Sequence, residues 1–285
     1  MRFKQTICGF LVNGALRHVG ESTHAQLARR KRKALVHLHI PTIVNKHRYA
    51  LHTKHNWWFR MHADNISWYV AWGFVLGSVL FSLGAYFCLM PGMISVWLNN
   101  WLFFIGSLFF TFASYLQYLE SINRVVDKQR SWRYWGIEPS SCGFWASLTQ
   151  LLGAVLFNIN TWAGMYDYSS VLLDNLYIRL PDFLGSVCFL VSAVFSWLEI
   201  RHQHVRTSIL SVSWWVVYVN LLGCVLFQVS ALFAFYLPHE LLGFSAAFIS
   251  TANINLLGGS ICFLMVGYLL LVELNENEYQ LKQTH

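Results

Sequence analysis

Six apolar stretches, at residues 67–90, 98–119, 144–166, 182–200, 211–236 and 252–272, dominate this chain. Each carries the same five-residue pattern: a glycine, a small residue, two apolar residues and a phenylalanine. The copies begin at Gly77, Gly106, Gly153, Gly185, Gly223 and Gly259 and end at Phe81, Phe110, Phe157, Phe189, Phe227 and Phe263. A helix needs about 20 predominantly apolar residues to cross the hydrocarbon core of a bilayer, and each stretch has that length with no charge read in its interior. The chain is 56% hydrophobic and only 12% charged, too few polar groups to coat a soluble globule of 285 residues. The expected fold is all-α, a polytopic membrane protein of six transmembrane helices.

The pattern alternates. The second, fourth and sixth copies are each followed, 14 residues after the glycine, by a glutamate: Glu120, Glu199 and Glu273. The repeating unit is therefore a helix pair, used three times, at about 65–125, 143–205 and 211–275. A pair of crossings returns the chain to its starting side, so the repeats are parallel and can close around an approximate threefold axis along the membrane normal.

Charge gives an orientation. Of the 20 Lys and Arg residues, 12 precede residue 65, so residues 1–64 form a basic, histidine-rich extension. Arg124, Lys128, Arg130 and Arg133 lie between spans two and three, and Arg201 and Arg206 between four and five, while the alternate loops are almost free of positive charge. The positive-inside rule then places both termini, including the tail 276–285, in the cytoplasm of a bacterial cytoplasmic (inner) membrane. Trp57, Trp58, Trp68, Trp132, Trp135, Trp214 and Trp215 sit near the proposed cytoplasmic ends, where an apolar ring with an N–H donor anchors a span.

Helices in lipid associate through close packing, which small residues permit. Gly77, Gly106, Gly153, Gly185, Gly223 and Gly259 are the expected packing positions, each a notch for a phenylalanine of the neighbouring helix. Odd-numbered spans carry phased polar residues: Ser82, Asn158 and Gln228 five after the glycine, and Gly84, Asn160 and Ser230 seven after it, with Gln150 and Asn220 added. An amide in lipid needs a partner. Asn158, Asn160, Asn220 and Gln228 are thus either interhelical hydrogen-bonding groups or the lining of a polar path. The glutamates are either interfacial ion pairs with Arg124 and Arg201 or a ring of carboxylates at a cytoplasmic mouth.

No histidine lies in a span, which removes a bis-histidine haem site. The six cysteines lack metal-ligand spacing, and there is no zinc-protease, serine-hydrolase, P-loop or dinucleotide signature. The expectation is a non-enzymatic protein with no catalytic, cofactor or metal residues. His37, His39, His47, His52, His55 and His62 read as basic surface. In the extension, Thr23 to Gln26 has the capping-box form and opens a helix that Pro41 stops. Its run Arg29, Arg30, Lys31, Arg32 and Lys33 is expected to bind anionic lipid headgroups, at about 1 kcal/mol per residue. No nucleic-acid-binding fold surrounds it.

Leu76-Gly77-Ser78-Val79-Leu80-Phe81 and the segment Trp101 to Phe110, Trp-Leu-Phe-Phe-Ile-Gly-Ser-Leu-Phe-Phe, resemble the bacterial YrhK-like domain, a two-span membrane module with similar wording. The copies at Gly185 and Gly259 resemble it too. The resemblance implies several such modules over about residues 65–275 and brings no catalytic residues.

The leading expectation is an interaction protein built as a packed helical bundle, with the lipid bilayer, headgroups and a membrane or cytoplasmic protein as partners. The alternative is a channel or carrier for a small solute or ion. A polar passage from Asn158, Asn160, Gln228 and Asn220 to the three glutamates would favour transport; a centre filled by phenylalanine would count against it.

Overall fold

The computed structural model describes residues 65–123, 132–167, 170–202, 211–234 and 242–283. The basic extension, with its histidines and Arg29 to Lys33, lies outside them. The described chain is helical: α1 (Ile66–Leu89), α2 (Val96–Ile122), α3 (Cys142–Ala163), the short α4 (Val171–Asp174), α5 (Leu180–His202), α6 (Val212–Phe233) and α7 (Leu242–Gln283). Six helical segments are long and apolar enough to cross a membrane, so this is a multi-pass membrane protein.

Local chemistry sets the ends. Asn65 accepts from the Ser67 amide at 3.0 Å, and Ser95, Ser141 and Ser211 cap α2, α3 and α6 in the same way, each satisfying an amide that the first helical turn cannot. Between α1 and α2 the chain reverses at Pro91-Gly92. Gly92 has φ +93° and the Met93 amide bonds the Met90 carbonyl at 3.3 Å, a turn in which proline precedes a residue that must take positive φ. At the other end of α2, the Arg133 guanidinium donates to the Ile122 carbonyl at 2.6 Å and to Glu138 at 2.7 Å, so a cation covers the negative end of the helix.

Two spans differ from the sequence expectation. The fourth begins at Val171 rather than residue 182, running through a π turn at Asn175–Arg179 into α5, and it takes Asp174 and Arg179 into the spanning helix. Charge interrupts a hydropathy profile without interrupting backbone hydrogen bonds. The Leu180 amide bonds the Asn175 carbonyl, one residue further back than in an α-helix, which accommodates Pro181 in a continuous helix. The sixth span lies within α7, whose 42 residues extend about 63 Å, roughly twice the hydrocarbon thickness.

Each spanning helix packs on its neighbours in chain order: α1 on α2, α2 on α3, α3 on α5, α5 on α6 and α6 on α7. Then α7 packs back on α1. The six form a closed ring.

Candidate functional site

Within each helix pair the two pattern glycines lie back to back. A Cβ added to Gly77 would stand 3.0 Å from the Gly106 carbonyl oxygen, and one on Gly106 would stand 3.2 Å from that of Gly77. The same reciprocal approach joins Gly153 to Gly185, at 2.8 and 3.1 Å, and Gly223 to Gly259, at 3.3 and 3.1 Å. Over each glycine lies the phenylalanine of its partner. Phe81 covers Gly106 and Phe110 covers Gly77; Phe189 covers Gly153 and Phe157 covers Gly185; Phe227 covers Gly259 and Phe263 covers Gly223. The absent side chain lets the backbones close, and the ring four residues on fills the remaining hollow.

The six rings meet at the centre of the bundle. Phe81, Phe157 and Phe227, one from each pair, form a triangle with centroids 6.4, 5.9 and 6.2 Å apart. Phe263 lies 6.0 Å from both Phe110 and Phe189, and each ring stands 5.0 to 5.3 Å from the phenylalanine of its own pair. All six are 2–4% exposed, and most contacts are edge-on, the geometry that ring quadrupoles favour.

The three glutamates lie toward the other ends of α2, α5 and α7, and all are buried: Glu120 is 2% exposed, Glu273 1% and Glu199 8%. Glu120 accepts from the Ser67 hydroxyl at 2.9 Å and Glu273 from the Ser213 hydroxyl at 2.6 Å. Each bond ties the start of one helix to the end of its partner. Arg124 and the Arg201 side chain, the sequence-expected ion-pair partners, lie outside the described residues. Ser67 and Ser213 escaped the sequence reading, although both stand ten residues before the glycine of an odd span; the second pair has Gly143 there.

Polar residues of the odd spans mostly bind across seams. Asn158 donates to Thr111 at 2.9 Å, Ser107 and Thr161 share a hydrogen bond at 3.0 Å, and Ser186 donates to Gln228 at 3.0 Å. These bonds join the first pair to the second and the second to the third. Gln150 instead accepts from Ser192 within its own pair, at 3.2 Å. Asn220 is half-buried on α6. Where α7 meets α1 the contact is steric: a Cβ on Gly267 would stand 3.0 Å from the Val75 nitrogen and 3.3 Å from the Ala71 oxygen. The Ser78 and Ser82 hydroxyls of α1 are buried without hydrogen-bond partners.

Asn160 does something different. Its side chain lies beside the carboxyl of Asp182, which Arg179 also attracts, while Arg179 pairs with Asp174 at 3.1 Å. This cluster was missed because residues 167–181, with Asp174 and Arg179, read as a loop. Its signal was the spacing, since Asp182 is only three residues from a pattern glycine. Among the described residues, no group of three or more His, Cys, Asp or Glu side chains could hold a metal ion.

Comparisons of the chain with protein-family models, curated proteins and solved structures return no match. The chemistry therefore rests on the geometry alone. It comprises an aromatic centre, buried serine–carboxylate clasps in two pairs, hydrogen-bonded seams, and one acid–amide contact in the second pair.

Proposed function

We propose that this chain is a non-enzymatic protein of the bacterial cytoplasmic membrane, with both termini in the cytoplasm, made of three copies of one two-helix unit closed into a packed bundle. The bundle holds the basic extension at the membrane surface, where Arg29 to Lys33 bind anionic headgroups or a cytoplasmic partner. The six-ring aromatic centre carries the reading. A conducting pore needs a hydrated path, and here buried phenylalanine occupies the axis while Asn158 and Gln228 spend hydrogen bonds at seams. The repeated glycine–phenylalanine contacts support three equivalent units, as does the resemblance of their sequences to the YrhK-like module.

The test is a flux survey of the full chain in liposomes for protons, alkali cations, chloride and small neutral solutes. Its companion is a variant with Glu120, Glu199 and Glu273 all changed to glutamine. Rates equal to those of empty liposomes are expected for both proteins. Solute flux by the wild type that the triple variant loses would replace this reading with a channel or carrier. Flotation with vesicles containing phosphatidylglycerol tests the extension: binding should fall at least tenfold when Arg29 to Lys33 are all changed to glutamine, and unchanged binding would remove the headgroup role.

A further inference from the structure

We propose that the bundle holds a binding pocket for one small uncharged solute with N–H donors, of the amide or urea class, on its axis between the six phenylalanines and the glutamates. Helix register fixes the lining. Seven residues make two turns and return to one face within about 20°. Phe74, seven residues before Phe81, follows this rule, because its ring lies 6.0 Å from that of Phe110 at the centre. Seven residues from the other five rings, toward the glutamates, stand Gln117 after Phe110, Gln150 before Phe157, Ser196 after Phe189, Asn220 before Phe227 and Leu270 after Phe263. Four of these six axial positions are polar, and they lie on four successive spans, α2, α3, α5 and α6.

Hydrogen bonds bring the four together. Ser147 of α3 donates to Ser121 of α2 at 2.9 Å, and Gln117 and Gln150 each stand one turn from that bond on the side of the rings. Gln150 accepts from Ser192 of α5 at 3.2 Å, and Ser196 is one turn from Ser192. Asn220 precedes Gln228 by eight residues, and Gln228 is bonded to Ser186, so in these antiparallel helices Asn220 lies beside the turn from Ser192 to Ser196. Their polar atoms are largely unspent. Gln117 Oε1, and the Ser114 hydroxyl one turn from it, are buried without hydrogen-bond partners. Among the described residues, Ser196 and Asn220 make no side-chain hydrogen bond and Gln150 engages only its Oε1. Gln117, Ser196 and Asn220 are also half-buried, although they stand opposite the lipid-facing Phe112, Val194 and Tyr218. Exposure on the inward face means open space at the axis.

The chemistry of the occupant follows from these groups. Gln117 Oε1 needs a donor, Gln150 offers its amide N–H, and Asn220 and Ser196 can each give and take a hydrogen bond. No axial position carries charge. The glutamates stand fourteen residues after their glycines, on the face that meets the pair partner, where Glu120 is bonded to Ser67. A charged solute on the axis would lack a counter-charge, so the solute is neutral. The rings bar the far side, so it is held rather than passed on, and the site stands whether or not the basic extension binds headgroups.

The test is saturation-transfer NMR of the purified full chain in nanodiscs, with formamide, acetamide and urea at millimolar concentration and empty nanodiscs as the blank. At least one of the three should receive saturation and titrate to a plateau. N,N-dimethylacetamide, which keeps the carbonyl but has no N–H, should bind roughly tenfold more weakly, and so should methylammonium, which is charged. Gln117→Leu should weaken binding roughly tenfold while the solute-free protein unfolds at the wild-type temperature or above, because an unpartnered buried acceptor is gone. A glutamine with only a structural role would lower the unfolding temperature instead. Asn220→Leu should weaken binding likewise and still reads if Gln117→Leu fails to fold. Gln228→Leu, at a seam, should bind as wild type does. Four results would each overturn the pocket: no saturation of any of the three solutes, N,N-dimethylacetamide binding as well as acetamide, methylammonium binding more tightly than all three, or unchanged binding in Gln117→Leu or, should that variant not fold, in Asn220→Leu.

Discussion

Replacing Gly153 with alanine tests the packing logic at its tightest point. The new methyl would stand 2.8 Å from the Gly185 carbonyl oxygen and 2.6 Å from Phe189 Cδ1. A ring can turn aside, but the carbonyl belongs to the backbone of α5. To reach 3.4 Å, the near edge of ordinary contact, α3 and α5 must part by about 0.6 Å, and a gap of that size forfeits about a quarter of the dispersion energy of each atom pair along the contact. Overpacked cores lose about 1–3 kcal/mol, and a backbone-limited site belongs in the upper part of that range, at about 2 kcal/mol. The assay is reversible unfolding in mixed micelles with increasing sodium dodecyl sulfate, followed by tryptophan fluorescence. Gly258→Ala is the control, because its methyl would meet only Leu226 Cδ1 at 3.4 Å. It should be neutral or stabilising by up to about 1 kcal/mol, the helix preference of alanine over glycine. Phe189→Ala is itself costly, so the comparison is made in that background, where Gly153→Ala should keep a large part of its cost since the carbonyl remains. Gly153→Ala within about 0.5 kcal/mol of wild type, or no cost of Gly153→Ala in the Phe189→Ala background, would refute the claim that backbone approach limits this site.

Other perturbations separate the remaining contacts. Ser67→Ala and Ser213→Ala should each cost about 1.5–3 kcal/mol in the same unfolding assay, because each strips a hydrogen bond from a buried carboxylate; Glu120→Gln, which keeps an acceptor oxygen, should cost less than Glu120→Ala. At the seams, Thr161→Val and Gln228→Leu should each cost under about 1 kcal/mol, since interhelical hydrogen bonds in membranes average about 0.6 kcal/mol and their partners Ser107 and Ser186 keep bonds to the Phe104 and Phe183 carbonyls. Glu138→Gln should cost under about 1 kcal/mol, as part-exposed ion pairs do. Arg133→Met should cost more in thermal unfolding, because it also uncovers the Ile122 carbonyl.

The six spans were legible because a bilayer imposes length and polarity on any helix that crosses it, and apolar runs such as 211–236 carry that imprint directly. Gly77 and Phe81 could be read as notch and ring because four residues make about one turn, which puts both on one face. The partner of Glu120 was not legible. Ser67 is 53 residues away, and its pairing depends on which helix lies alongside and at what register. Span four was misjudged at its start for another reason. Hydropathy registers the charges of Asp174, Arg179 and Asp182, whereas helix continuity depends on backbone amides, which a π turn satisfies across Pro181.

The contact of α7 with α1 sets a constraint on how the protein is made. Each helix pair can form its glycine contact as soon as its second helix emerges, because the partners are close in the chain. The ring cannot shut until the last span is inserted, more than 170 residues after the first, so α1 must wait with one flank against lipid or a chaperone. Its waiting surface suits that interval. Ala71 and Val75, which receive Gly267, demand no hydrogen bond from the surrounding hydrocarbon, and a late helix can dock there without first breaking an interim polar partner. A ribosome stalled before residue 247 should therefore leave a species with paired helices and an open flank, cleaved by intramembrane proteases that the finished ring resists.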